Sequence, residues 1–156
     1  GRENKIKEYV EVNVILKIVQ NNLRMLIYEN EAIIKISDVM PKIYCNQIQI
    51  TALFQNLINN AIKYRKEGTV PQIEIGVRKK YKTWEFYVKD NGIGIAKEHL
   101  DNIFVIFQRL HAKHEYSGTG IGLAIAKRIV QTHDGEIWAQ SIEGGGSTFY
   151  FTIPIV

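Results

Sequence analysis

The sequence predicts an α+β fold: a two-layer α/β sandwich in which a mixed, mostly antiparallel sheet carries about three helices on one face. Two observations carry that prediction. Runs that alternate polar and apolar residues arrive as hairpin pairs, 73–79 with 83–89 and 136–141 with 147–153. Around them stand three segments with helical apolar spacing, at 13–28, 46–64 and 121–132.

In chain order, Tyr9 to Val12 reads as a short strand. Asn13 is placed to cap a helix running to about Tyr28, with Ile15, Ile18, Val19, Leu23, Leu26 and Ile27 as its apolar positions. Ala32 to Ile36 reads as a strand, and Pro41 breaks the chain before a short strand at Ile43 and Tyr44. The next helix spans about Asn46 to Tyr64 and stops near Gly68 and Pro71. The strands Ile73 to Lys79 and Thr83 to Lys89 follow, joined through the basic run RKKYK, which reads as a solvated hairpin turn. A short helix is expected over Ala96 to Phe104, a polar irregular segment to Ser117, and a helix from Ile121 to Thr132 that His133-Asp134-Gly135 ends. Glu136 to Ser141 and Ser147 to Ile153 close the chain around Gly144-Gly145-Gly146.

A length of 156 residues suits one domain with a sizeable core, and 46% hydrophobic with 23% charged residues argues against disorder. Cys45 is the single cysteine, so no internal disulfide can form, and the composition suits a reducing, cytoplasmic setting. The net charge of +4 comes from scattered basic residues rather than one block, which argues against nucleic acid as a partner. No apolar run approaches the roughly 18 residues of a membrane span. Gly1 to Glu8 reads as the start of an excised piece or a linker from a preceding helical domain, with residues 9–156 as the functional domain; a longer parent could still be membrane-anchored.

Three stretches carry chemistry. On the helix 46–64, Ile50, Leu53, Phe54, Leu57, Ile58 and Ala61 form the buried arc, and Asn56, Asn59, Asn60 and Lys63 lie opposite. An exposed face that happened to draw asparagines would explain this row. So would one wall of an anion and metal site, because a carboxamide oxygen is a neutral hard ligand suited to Mg²⁺ and Lys63 is a point charge for phosphates. Tyr64 is placed to cover an adenine ring. In DNGIGI, Asp90 ends a strand with an acceptor-only carboxylate that suits an amino donor such as the adenine amine, and Gly92 and Gly94 can take positive φ and admit a ligand to the main chain. A plain Asx turn is the simpler alternative. In SGTGIGLAIAKRIV, Gly118, Gly120 and Gly122 precede a helix whose first N–H groups favour phosphate, although neither the P-loop nor the Rossmann spacing is present; close packing is the alternative.

The ordered set NLINNAIKY, DNGIGI, IFVIFQRL, GTGIGLAI and GGGSTFYFTIP resembles the ATP-binding catalytic domain of bacterial sensor histidine kinases, within the gyrase, heat-shock chaperone, histidine kinase and mismatch-repair ATPase superfamily. The resemblance covers nearly the whole chain from Tyr9 and implies the Bergerat-type ATP-binding fold. It implies that Asn60 coordinates Mg²⁺ with Asn56 beside the metal and phosphates, that Lys63 touches phosphate, and that Tyr64 touches the nucleotide. It implies Asp90 at the adenine amine, with Gly92, Gly94 and Ile95 shaping that wall, and Arg109 at the terminal phosphate. Gly118, Thr119, Gly120, Ile121, Gly122 and Leu123 would wrap the triphosphate, Thr148 would help at the adenine end, and His111 to Ser117 would be an ATP lid.

The superfamily's hydrolases place a glutamate four residues before the metal asparagine, where this chain has Asn56. A carboxamide cannot take a proton from water, so transfer to a protein histidine is expected over rapid hydrolysis. The implied partners are a histidine-bearing dimerisation domain of the same parent, a homodimer, and a response-regulator receiver domain. No membrane contact is expected of this domain. His99, His111, His114 and His133 read as surface or capping residues, so the chain alone is expected to bind Mg-ATP without phosphorylating itself. A regulatory nucleotide-binding module that has lost phosphotransfer, or a related ATPase, are the alternative readings.

Overall fold

The computed structural model describes residues 6–105 and 119–156. The chain begins with β1 (Glu8–Glu11), α1 (Val12–Asn22), α2 (Arg24–Glu29), β2 (Ile33–Ile36) and β3 (Lys42–Cys45). It continues with α3 (Gln47–Lys63), β4 (Gln72–Lys79), β5 (Thr83–Asp90), a single 3₁₀ turn at Lys97–His99, α4 (Thr119–Thr132), β6 (Ile137–Ser141) and β7 (Ser147–Pro154). The main sheet has the order β2-β4-β5-β7-β6, in which β2 runs parallel to β4 and every other pair is antiparallel. β1 and β3 form a separate antiparallel pair. The mixed sheet with its helical layer is the architecture the hairpin pattern implies.

Alternation gives the sheet a helix-facing side built from Ile73, Ile75 and Val77 of β4, Phe86 and Val88 of β5, and Phe149, Phe151 and Ile153 of β7. The six apolar positions expected on α3 are all buried against it, together with Ile62. At the centre, Phe86 and Phe151 are cross-strand partners stacked at 5.1 Å, and Phe54 of α3 meets them edge-on at 5.8 and 5.2 Å. Each such pair is worth about 0.5–1.5 kcal/mol beyond the area it buries. On the other side of the sheet Trp138, Tyr150 and Tyr87 form one cross-strand row that ends over Gly76, where a Cβ would run into the Tyr87 ring.

Four local expectations are corrected. Val12 starts the first helix instead of ending the strand, and its N–H donates to Pro41 O at 3.1 Å. The residue before that helix is Glu11, which makes no side-chain cap, so Asn13 is not the cap. The helix expected as one piece to Tyr28 breaks at Leu23 (φ −100°, ψ 11°). Leu23 stays buried there, whereas α2 beyond it has no fully buried residue and rests only Leu26 and Ile27 on the core. The segment 96–104 forms no α-helix. Its bonds run from residue i to i−3, as in His99 N to Ala96 O and Asn102 N to His99 O. That tighter winding sets Leu100, Ile103 and Phe104 on the core, with Phe104 edge-on to Phe149.

Candidate functional site

α3 is held at both ends by the residues the sequence placed at its limits. Asn46 is the N-cap, its Oδ1 accepting Gln49 N–H at 2.9 Å, and Tyr64 is the C-cap, its N–H bonding Asn60 O at 3.0 Å. Asn56 and Asn60 are half-buried, while Asn59 and Lys63 are exposed. The Lys63 ammonium lies 5.8 Å from the Tyr64 ring centroid. Asn60 Nδ2 is buried and, among the described residues, has no hydrogen-bond partner. The O and N of a carboxamide are interchangeable in shape, so a half-turn would set an unpaired acceptor at that place. An unmatched buried amide costs stability, and a cation with its waters would remove the mismatch.

The strand parity that buries Phe86 and Val88 brings Asp90 to the helix-facing side of β5. Its Oδ1 accepts the N–H groups of Gly92 (2.9 Å) and Ser147 (3.1 Å), which closes an Asx turn and ties β5 to the start of β7. Among the described residues no donor reaches Oδ2. The turn and the binding role are therefore compatible, because they use different oxygens. Burial pushes the carboxyl above its ordinary value, and the two N–H groups oppose that shift. Asn91 is structural: its side chain accepts Gln72 N–H and donates to Val70 O, anchoring the start of β4.

The first glycine loop joins this carboxylate to the end of α3. Ile93 N–H donates to Tyr64 O at 3.0 Å, and a Cβ on Gly92 would press on that same carbonyl. Gly94 takes φ +75° and would drive a Cβ into Ile142 O, while Gly144 N–H donates to Ile93 O. Both glycines thus admit protein main chain, and only Gly94 of the two needs the left-handed region. Ile95 is buried, with its N–H on the Ser141 hydroxyl at 2.7 Å. Asp90, Tyr64 and the end of the asparagine row are in this way drawn together around one loop.

The second glycine segment is placed in part. Thr119, Gly120, Ile121 and Gly122 form the first turn of α4, Leu123 is buried, and α4 packs along α3. Arg109 and Gly118 lie outside the described residues, as do His111, His114 and the rest of the expected lid. Thr148 stands opposite Lys89 on the far side of the sheet from Asp90; its neighbour Ser147 holds Asp90 instead. Strict alternation from the apolar Phe149 and Phe151 back to Ser147 was the available signal. His133 is not a surface residue. It is buried and caps α4 by donating Nδ1–H to Ile129 O at 2.8 Å while Nε2 accepts Asn46 N–H at 3.0 Å. His99 is half-buried in the 3₁₀ turn. Burial pushes the Cys45 thiol up to about 12, which leaves it unreactive.

A Bergerat-type sheet whose terminal carboxylate abuts an asparagine-bearing helix defines the class, and comparison with known proteins agrees. Residues 45–156 match the family model described as histidine kinase-, DNA gyrase B- and HSP90-like ATPase. The chain belongs to this family, as the ATP-binding catalytic domain of the sensor histidine kinase type. It is 50% identical over 148 residues to cyanobacterial phytochrome A of Nostoc sp. PCC 7120, covering 95% of this chain and 19% of that protein. It is 36% identical over 151 residues to the sensor histidine kinase WalK of Bacillus subtilis, covering 95% of this chain and 25% of WalK. The chain thus spans about a fifth to a quarter of these relatives. The solved catalytic domain of histidine kinase ThkA shares the fold with a TM-score of 0.79 at 24% identity, covering 96% of this chain and 95% of that one. No described helix is long and apolar enough to cross a membrane.

Proposed function

We propose that residues 9–156 bind Mg-ATP and transfer its terminal phosphate to a histidine on a separate dimerisation domain, as the catalytic domain of a two-component sensor histidine kinase. The parent would act as a cytoplasmic homodimer, possessing a membrane anchor or not, and pass phosphate to a response-regulator receiver domain. The observation that carries this reading is Asp90: a half-buried carboxylate with one oxygen fixed by two N–H groups and the other left over, beside the end of the asparagine row.

In this reading the residues bind and orient. Asp90 Oδ2 accepts the adenine amine, and Tyr64 flanks the nucleotide. Asn60 and Asn56 hold Mg²⁺, which supplies charge neutralisation at the phosphates. Lys63 adds a point charge at the phosphates, Arg109 attends the terminal one, and the α4 start presents main-chain N–H groups to the chain of phosphates. Such positioning and charge stabilisation is most of what phosphoryl transfer needs. Asn56 lacks the basicity to activate water, which favours transfer over hydrolysis.

Calorimetric titration with a non-hydrolysable ATP analogue, with and without Mg²⁺, tests the binding. A matching histidine-bearing helical domain added in trans then tests transfer, with acid-labile phosphate on that domain as the expected product. Absence of binding by folded protein would refute the reading; steady phosphate release without any acceptor would favour an ATPase.

A further inference from the structure

We propose that Ser141, the last residue of β6, is a positioning residue for recognition of the adenine amine, an assignment that rests on the nucleotide-binding reading above. The Ser141 hydroxyl lies 2.7 Å from Ile95 N, 2.9 Å from Gly146 O and 2.8 Å from Ser147 Oγ. Its oxygen accepts the Ile95 N–H, and its one hydrogen goes to either Gly146 O or Ser147 Oγ. One side chain therefore joins the glycine loop after β5, the β6–β7 turn and the first residue of β7. Ser147 is buried and is the cross-strand partner of Ser141. Its N–H is one of the two that hold Asp90 Oδ1.

The main chain around Ser141 has no slack. A Cβ on Gly146 would run into Asp90 O, and one on Gly94 into Ile142 O. Gly144 N–H reaches Ile93 O, and Ile142 N–H reaches Gly146 O at 3.1 Å. The loop and the turn are thus one body whose polar centre is a single hydroxyl. Loss of that hydroxyl orphans the buried Ile95 N–H and loosens Ser147, so Asp90 loses the fixed aim of Oδ2 while the phosphate-facing end of α3 is untouched.

The hydroxyl of Ser147 depends on Ser141 as well. When Ser141 donates to Gly146 O, the Ser147 O–H can only usefully turn back to Ser141. When Ser141 donates to Ser147 Oγ, the Ser147 O–H is released to donate elsewhere. Either way the two hydroxyls stay bonded, which holds Ser147 in place and with it the main-chain N–H that fixes Asp90 Oδ1.

The test compares ADP with purine riboside 5′-diphosphate, in which hydrogen replaces the 6-amino group, by calorimetry on the wild type, Ser141→Ala and Ser141→Thr. The wild type is expected to prefer ADP. Ser141→Ala is expected to weaken ADP about five- to tenfold, the worth of one well-placed hydrogen bond, and to leave the amine-free nucleotide unchanged. Ser141→Thr keeps the oxygen and is expected to restore the preference. If Ser141→Ala does not fold, Ser141→Cys is read in its place, since a thiol has similar size and bonds weakly. Unchanged ADP affinity, or equal weakening of both nucleotides, overturns the assignment while the wild-type preference for ADP leaves the nucleotide reading standing. A folded wild type that binds neither nucleotide overturns both.

Discussion

Asp90→Asn separates stability from binding. The native carboxylate is destabilised by burial, so its folded value lies above the ordinary 3.8. A group raised in this way contributes stability below 3.8 that is lost as pH rises through the folded value. At neutral pH its charge is therefore a cost to the empty protein. Asparagine keeps an oxygen that can accept the Gly92 and Ser147 N–H groups, now bonded at 2.9 and 3.1 Å, and removes the charge. The melting temperature of the empty variant is expected to hold or rise, by at most about 2–4 °C for about 1 kcal/mol in a domain of this size. Binding moves the other way. The position of Oδ2 becomes an amide donor facing the adenine amine, a mismatch of about 2–4 kcal/mol, or roughly thirty- to several-hundredfold in affinity. Thermal melts and titration calorimetry on the same sample read both. Undiminished affinity for ADP would remove Asp90 from the adenine site, and a large drop in the empty protein's melting temperature would refute the assignment of its charge as a cost.

Asn60→Ala removes a buried unpaired amide, so the empty protein is expected to melt no lower, while any gain in nucleotide affinity from Mg²⁺ disappears in paired titrations. Gly94→Ala combines a left-handed φ with a collision at Ile142 O and is expected to cost about 2–4 kcal/mol. Gly144→Ala, with a similar φ but open space around it, is expected to cost only about 1 kcal/mol; equal melting shifts would discount the collision. Phe54→Ala, at the junction of the aromatic trio, is expected to cost about 3–5 kcal/mol in denaturant titration. His133 is held neutral, its value pushed below the ordinary 6.5 chiefly by burial. A second proton on Nε2 would face Asn46 N–H, so stability is expected to be complete above about pH 6.5 and to fall below it. His133→Gln should flatten that part of the profile.

The fold was legible wherever one face of an element is buried, because burial imposes a period on the sequence. The α3 arc from Ile50 to Ala61 and the alternation through Phe86 and Phe151 show this directly. The segment 96–104 was not legible, since Leu100, Ile103 and Phe104 satisfy helical and 3₁₀ spacing alike. Nor was the break at Leu23, where the apolar pattern continues across a change of direction. Part of the candidate site was legible for a different reason. Asp90, Asn56 and Asn60 are residue types that neither a core nor an ordinary solvated face requires, which singles them out as candidates to face a ligand.

By itself the sequence determined the layers of the sandwich, the family and the residue types of the candidate site, since these follow from periodicity and from chemistry carried within short segments. The tertiary structure decided which neighbours those residues have. It set the Ser147 N–H on Asp90, gave Ser141 its three contacts, turned Gly92 and Gly94 towards protein main chain, and buried His133 against Asn46. The physical reason is range. Helical and strand periods act over a few residues, whereas the bonds from Ser141 to Ile95 and from Ser147 to Asp90 join positions 46 and 57 residues apart, and only the closed sheet brings them within hydrogen-bonding distance.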